Sequence, residues 1–303
     1  MTHVAVLMGG WSAERGISLV SGKAVVDALE AAGMRVTAVD VDRNIAAVLS
    51  ELKPDVAFNA LHGPWGEDGS VQGVLETLGI PYTHSGVMAS AIAMDKEMTN
   101  RLCAAAGIRV PQGRVVHRDA LFSADPMPRP FVVKPVNEGS SVGVVIVTEE
   151  SDPIRRTDDG PWKSARHLLV EAFIPGRELT VSVMGDRALC VTELRPRQGF
   201  YDFEAKYTDG LTEHLVPAPL DEAIADEAME MALKAHRLLK CRGVTRSDFR
   251  FDAERGAEGL YFLEINTQPG LTPLSLVPEQ AAHMGIDFKS LCRWIVEDAS
   301  CQR

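Results

Sequence analysis

The sequence predicts a mixed protein: an α/β layer first, then α+β units. Two observations carry this. Strand patterns alternate with helical patterns through about residue 93, the signature of a parallel sheet covered by helices. From Arg109 onward the pattern changes to short strands with long polar connections. The chain length of 303 residues fits two domains, or three small ones.

The elements follow in order. HVAVLM, residues 3–8, is a short buried strand, and Gly9-Gly10 ends it. A helix is expected from Ser12, as N-cap, to Ala32, stopped by Gly33. RVTAVDV (35–41) and DVAFNAL (55–61) read as the next two strands, and a helix over 70–78 ends at Gly79. Another helix starts near Asp95 and ends at Gly107. FVVKPVNEGSSVGVVIV, residues 131–147, reads as a β-hairpin with a Gly/Ser tip. Residues 148–166 are polar, a loop around a poorly formed helix, and 167–184 hold two strand-like runs separated by Pro175-Gly176. A polar stretch spans 195–214. A helix from Asp221 to about Lys240 presents Ile224, Met231, Leu238 and Leu239 as a core-facing stripe. Two strands separated by AERGAEG, a Pro/Gly-rich loop and a final helix complete the chain.

Composition narrows the function. Hydrophobic residues make up 46% and charged residues 24%, an ordinary globular balance. A net charge of −11 disfavours general nucleic-acid binding, which relies on Lys and Arg. No apolar run approaches the ~20 residues that span a bilayer, and the N-terminus lacks the basic start of a signal peptide. The five cysteines are scattered without a C-x-x-C pair, so neither a zinc site nor a disulfide framework is expected and a reducing cytoplasm fits.

The first strand, its Gly-rich turn and the helix behind it could hold an anion. Asp40 even stands where a ribose-binding acid would, but the turn lacks the G-x-G-x-x-G spacing. Glu14, in the expected first helical turn, would repel a pyrophosphate. It suits a cation such as a substrate ammonium, or simply steadies the helix start. In the 131–147 hairpin, Gly139 and Gly143 allow close approach to a ligand, and Lys134 supplies a point charge for phosphate.

VTRSDFRFDAERGAEGLYFLEINTQPG, residues 244–270, is the strongest signal. Alternation puts Arg246, Asp248 and Arg250 on one strand face with Phe249 and Phe251 opposite. On the next strand Glu264 and Asn266 share a face, with Leu263 and Ile265 opposite. If the strands pair, Asp248, Glu264 and Asn266 converge as three oxygen donors suited to Mg²⁺, with Arg246 beside them to stabilise an oxyanion. In LLVEAFIPGRELTVSV (168–183), Glu171 and Glu178 could accept from a nucleobase amino group or a ribose hydroxyl, or could be ordinary strand-end acids.

These motifs, in this order, resemble the D-alanine–D-alanine ligases of the ATP-grasp superfamily. GGWSAERGISLVSG (9–22), LHGPWGEDGSVQGVLETLGIPYTHSGVMASAIAMDK (61–96), KPVNEGSSVGV (134–144), YDFEAKY (201–207), RSDFRFD and LEINTQPGLTPLSLVP (246–278) carry the likeness over essentially the whole chain. The resemblance implies an ATP-grasp fold with an N-terminal parallel α/β domain, residues 1–93. A central domain, 94–181, and a C-terminal domain, 182–303, would clamp ATP, with 195–214 as lid. It implies that Lys96 and Lys134 contact the phosphates and that Glu138, Gly139, Ser140, Ser141 and Val142 close over them. Glu171, Ala172, Phe173 and Ile174 would hold adenine, Glu178 the ribose, and Lys206 the transferred phosphate. Asp248, Glu264 and Asn266 would bind two Mg²⁺, for which Mn²⁺ could substitute.

Glu14, with His62 nearby, would take the ammonium of the first D-alanine and join Ser140 and Tyr207 in a network closing the site. Arg246 and the backbone of Gly270 would form the oxyanion site, and Ser275 and Leu276 would anchor the second D-alanine carboxylate. The resemblance further implies a cytoplasmic homodimer making D-alanyl-D-alanine for peptidoglycan through an acylphosphate, without nucleic-acid or membrane partners. A D-alanine–D-lactate ligase, another ATP-grasp carboxylate–amine ligase and a nucleotide-binding regulator without turnover remain as alternatives. The Lys206-Tyr207 pair speaks for the dipeptide. Trp11, Gly16, His84 and Gln268 depart from the residues expected at their positions.

Overall fold

The computed structural model describes residues 1–139, 143–155, 162–163, 165–197 and 210–302. The first layer is a parallel sheet in which β1 (His3–Gly9) lies between β2 (Arg35–Val41) and β3 (Val56–Asn59). Every residue of β1 is buried, because its alternate side chains serve two cores. Val4, Val6 and Met8 pack with Val25 and Leu29 of α1 (Arg15–Ala31) and with Leu291 and Ile295 of a helix from the far end of the chain, Phe288–Glu297. Ala5 and Leu7 face α2 (Ile45–Leu52) and α3 (Ser70–Leu78) through Leu49 and Leu75.

Helix α1 begins two residues later than expected. Ser12 does not cap it; its hydroxyl donates to the His62 carbonyl at 2.7 Å and accepts from the Glu14 amide at 3.2 Å. Glu14 is itself the N-cap residue, and this turn brings its side chain inward. Gly79 ends α3 in the left-handed region at φ 65°, as the sequence indicated.

Helices α4 (Val87–Met94) and α5 (Lys96–Ala105) follow, and Asp95 caps α5 by accepting from the Met98 amide. A second sheet runs β4-β7-β5-β6, formed by Gly113–His117 (β4), Phe131–Pro135 (β5), Val145–Val147 (β6) and His167–Ala172 (β7). Strands β5 and β6 are the expected hairpin, paired Phe131 to Val147. The third sheet is antiparallel, β10-β9-β8-β11-β12: Arg177–Met184 (β8), Arg187–Pro196 (β9), Thr212–Leu215 (β10), Val244–Phe251 (β11) and Leu260–Asn266 (β12). The two runs in 167–184 therefore belong to different sheets, and residues 173–176 cross between them.

Helix α6 (Glu222–Leu238) covers the third sheet through Ile224, Ala228, Met231 and Ala235. Leu238 does not join that stripe; it is 38% exposed, while Leu239 is buried. The expected final helix is two helices, α7 (Leu276–His283) and α8 (Phe288–Glu297), broken at Gly285 with φ 80°. No helix among the described residues is long and apolar enough to cross a membrane.

Candidate active site

The β11–β12 ladder sets the centre of the site. Arg246 pairs with Asn266 and Asp248 with Glu264, so two acids, an amide and a guanidinium come from neighbouring positions on one sheet face. Phe249 and Phe262 stack edge to face behind them, centroids 5.7 Å apart, which anchors the ladder by about 1 kcal/mol beyond burial alone.

The ladder is not regular. Phe249 pairs with Phe262 and Asp248 with Glu264, so Leu263 is an extra residue in a β-bulge. The expectation that Leu263 would share the core face with Ile265 fails for this reason. Ile265 is buried in the core, but Leu263 lines the cleft beside Glu264.

That cleft lies between the second and third sheets. Lys134, Glu138, Glu171, Ala172, Phe173, Ile174, Glu178, Asp248 and Glu264, all expected nucleotide or metal positions, line it with Lys96. Lys96 Nζ donates to the Glu138 carbonyl at 2.5 Å and pairs with Glu264 at 3.3 Å. Lys134 Nζ lies 2.6 Å from Glu171 Oε2, and Asn100 Nδ2 donates to Glu171 Oε1 at 2.7 Å. The Glu171 carboxylate is thus held on both oxygens, one of them by the lysine expected to meet phosphate. Asn100 was not foreseen; it faces the site from a helix seventy-one positions away in sequence, which no local pattern reveals.

Arg250 was foreseen on this face without a role. Its Nε donates to the Ile174 carbonyl at 3.1 Å, its Nη2 to the Gly176 carbonyl at 2.8 Å, and its Nη1 lies 3.5 Å from Glu178. It fastens the crossing between the two sheets. Burial pulls its guanidinium below the ordinary arginine pKa, against the opposing pull of Glu178.

A second cavity adjoins the first across Lys96 and Glu264. Glu14, His62, Gly139, Arg246, Asn266 and Gly270 line it, with Glu67. Glu14 is buried, and a Cβ on Gly139 would stand 3.5 Å from its carboxylate, so the hairpin meets the acid there. His62 is held at both ring nitrogens, by Ser21 at 3.2 Å and by Glu67 at 3.2 Å; Glu67 also accepts from the Gly63 amide at 3.0 Å. Glu67 was overlooked, although an acid five residues after a histidine in HGPWGEDG was visible. Ser275 lies behind Gly270: a Cβ there would stand 3.0 Å from Ser275 Oγ, which accepts from the Thr272 amide at 2.9 Å. Leu276 is buried against Leu194. Ser140, Ser141, Val142, Lys206 and Tyr207 lie outside the described residues.

Asp40 is committed elsewhere. Arg15 binds both its oxygens at 2.7 Å and holds its carboxyl below the usual range, so it is no ribose ligand. At the centre, protein cations hold the acids. Arg246 grips Asp248 through two bonds of 2.8 and 2.7 Å, and Thr180 donates to the same carboxylate at 2.8 Å. Asn266 Oδ1 accepts from the Gln268 amide at 2.7 Å. Two carboxylates and an amide oxygen at the edge of a cleft are the hard, incomplete donor set that Mg²⁺ shares with phosphates. No group of three or more His, Cys, Asp or Glu side chains that could hold a metal ion is found among the described residues.

A family model described as D-ala D-ala ligase C-terminus matches residues 102–297, and one described as D-ala D-ala ligase N-terminus matches residues 45–85. The chain is 61% identical over 300 residues to the D-alanine–D-alanine ligase of Zymomonas mobilis, covering 98% of this chain and 94% of that protein. It is 59% identical over 300 residues to the enzyme of the same name from Rhizorhabdus wittichii, covering 98% and 96%. Among solved structures, D-alanine–D-alanine ligase from Bacillus anthracis complexed with ATP superposes with a TM-score of 0.82 at 26% identity, covering 98% of this chain and 97% of that one. The chain is an ATP-grasp ligase and belongs to the D-alanine–D-alanine ligase family.

Proposed function

We infer that this protein joins two D-alanine molecules into D-alanyl-D-alanine while converting ATP to ADP and phosphate. The observation that carries this reading is the pair of adjoining cavities sharing Lys96 and Glu264. One suits a nucleotide, the other a small zwitterion, and the shared wall is where a phosphoryl group would pass.

Glu14 takes the ammonium of the first D-alanine, with His62 beside it. The carboxylate of that D-alanine attacks the γ-phosphorus of ATP; the bond to the bridging oxygen breaks and ADP leaves. Lys134 and Lys96 face the phosphates. Glu171, Ala172, Phe173 and Ile174 hold adenine, and Glu178 holds ribose. The amine of the second D-alanine, its carboxylate anchored at Ser275 and Leu276, then attacks the acyl carbon. Arg246 and the Gly270 backbone stabilise the oxyanion, and collapse expels phosphate.

Asp248, Glu264 and Asn266 would hold Mg²⁺, which supplies charge neutralisation of the transferring phosphate. Lys96 and Arg246 are partnered by Glu264 and Asp248, and with those acids holding the ion they would be available to the ligands. Ser140, Lys206 and Tyr207 complete the closed site, with Ser141 and Val142 over the phosphates, and the lid over 195–214 excludes water from the acylphosphate. Residues 1–93, 94–181 and 182–303 form the three domains; β8 spans the second boundary and pairs within the third sheet. The enzyme is a cytoplasmic homodimer supplying a peptidoglycan precursor.

Phosphate release from ATP and Mg²⁺, with D-alanine alone or with D-lactate, is the direct test, read together with product mass. D-alanine-dependent release with a D-alanyl-D-alanine mass is the expected result. A depsipeptide as main product refutes the choice of second substrate. No release with D-alanine refutes the substrate assignment.

A further inference from the structure

Beside the substrate cavity, with His62 lining both, lies a third cavity of about 220 Å³ that the ligation chemistry does not use. Its walls are apolar, from Ile45, Leu61, Val71 and Val74. Two indoles border it. Trp11 and Trp65 meet at 5.3 Å between ring centroids and remain 39% and 46% exposed. Two adjacent, partly exposed tryptophans are uncommon on a soluble surface. Trp65 also holds a φ of 77°, a left-handed backbone that bulky side chains avoid.

One cation stands with them. The Arg43 guanidinium lies 5.3 Å from the Trp11 ring centroid and forms no ion pair with a described residue. An aromatic-walled apolar cavity with a guanidinium that pairs with no acid among the described residues has the make-up of a small-ligand pocket. The walls take an apolar ring, and the guanidinium takes a planar carboxylate through two parallel hydrogen bonds. We propose that this cavity binds a small aromatic monocarboxylate, with its ring against the Trp11–Trp65 pair and Val71 and its carboxylate on Arg43.

The cavity shares His62 with the substrate side, and Ser12 lines it next to Glu14 of that side. Ser12 ties the Glu14 amide to the His62 carbonyl, so an occupant pressing on Ser12 acts on the seat of Glu14. Bound carboxylate therefore raises KM for D-alanine with little change in kcat. This coupling rests on Glu14 as the ammonium site; the binding itself does not.

Phenylacetate is the probe and phenylacetamide its uncharged control, followed by tryptophan emission and by isothermal titration of the full chain. Saturable binding of phenylacetate, about tenfold tighter than the amide, is expected. Arg43→Gln should erase that preference without altering unliganded turnover, and Trp65→Gly should weaken both compounds. Acid and amide binding equally, no saturation at millimolar probe, or an unaltered preference in Arg43→Gln each overturns the proposal. A flat titration in which Trp65→Gly converts a dimer to monomer would assign the indoles to a contact between copies and likewise overturn it. Binding with KM unmoved overturns the coupling alone. Absence of any D-alanine turnover would count against the ligation reading while the titration still decides the pocket.

Discussion

His236 ties the stability of the C-terminal region to pH. It lies in the last turn of α6, almost wholly buried, with Nδ1 2.8 Å from the Thr245 hydroxyl. Burial pushes its imidazole from the ordinary 6.5 down to about 4, despite the raising pull of Asp186 and Asp298, with Arg237 adding to the fall. Above pH ~6.5 the ring is neutral both folded and unfolded and the stability is unaffected by this group. Below that, the unfolded chain binds a proton that the folded chain refuses, so stability falls with pH until the folded ring also protonates near about 4. The whole window is worth roughly 3 kcal/mol, and roughly 2 kcal/mol is already lost at pH ~5. His236→Gln keeps a polar partner for Thr245 and removes the proton site. Urea unfolding at pH ~7 and ~5 should show the variant losing roughly 2 kcal/mol less than the wild type between the two. Equal losses, or an imidazole that titrates near 6.5 in the folded protein by NMR, would refute the reasoning.

Three further outcomes are expected. Arg246→Ala should keep ATP binding, measured by calorimetry, and lose turnover by about 10²–10³; loss of both together would make Arg246 a structural residue. Gly176→Ala places a Cβ against the Phe251 carbonyl at φ 92°, in the crossing between sheets. It should destabilise by more than about 1 kcal/mol in thermal unfolding, and an unchanged midpoint would mean the crossing adapts freely. Iodoacetamide at neutral pH should label Cys301 alone in the native protein, read by mass. Burial pushes Cys103, Cys241 and Cys292 up to about 12 and Cys190 to about 11. Labelling of any of these four before unfolding would contradict their burial.

What the sequence revealed tracks how local each determinant is. β1, α3 and the 131–147 hairpin follow from patterns complete within a few residues, and the Arg246, Asp248, Glu264 and Asn266 face follows from strand alternation. α2 was overlooked although Ile45, Val48, Leu49 and Leu52 repeat at helical spacing; at eight residues it is short beside its flanking strands. β9 was overlooked because its run is interrupted by polar positions and its partner strands lie on both sides of Gly185. Asn100 on Glu171 and the separation of β7 from β8 are long-range facts that no window contains. Ser12 looked like a cap because its residue type suits one; its hydroxyl accepts from the Glu14 amide and donates to the His62 carbonyl, and the helix begins after Glu14.

The bulge at Leu263 divides the site by chemistry. Remove that one residue and the ladder becomes regular, with Phe262 still opposite Phe249 and Glu264 still opposite Asp248. Every charged group would keep its neighbour. The cleft would lose only the apolar surface that Leu263 adds to its wall. The acids and amide of the site and this part of the cleft's apolar wall are therefore written in separable parts of a seven-residue strand. A chain shortened by that single leucine would keep its polar face intact while the neighbouring cleft changed shape.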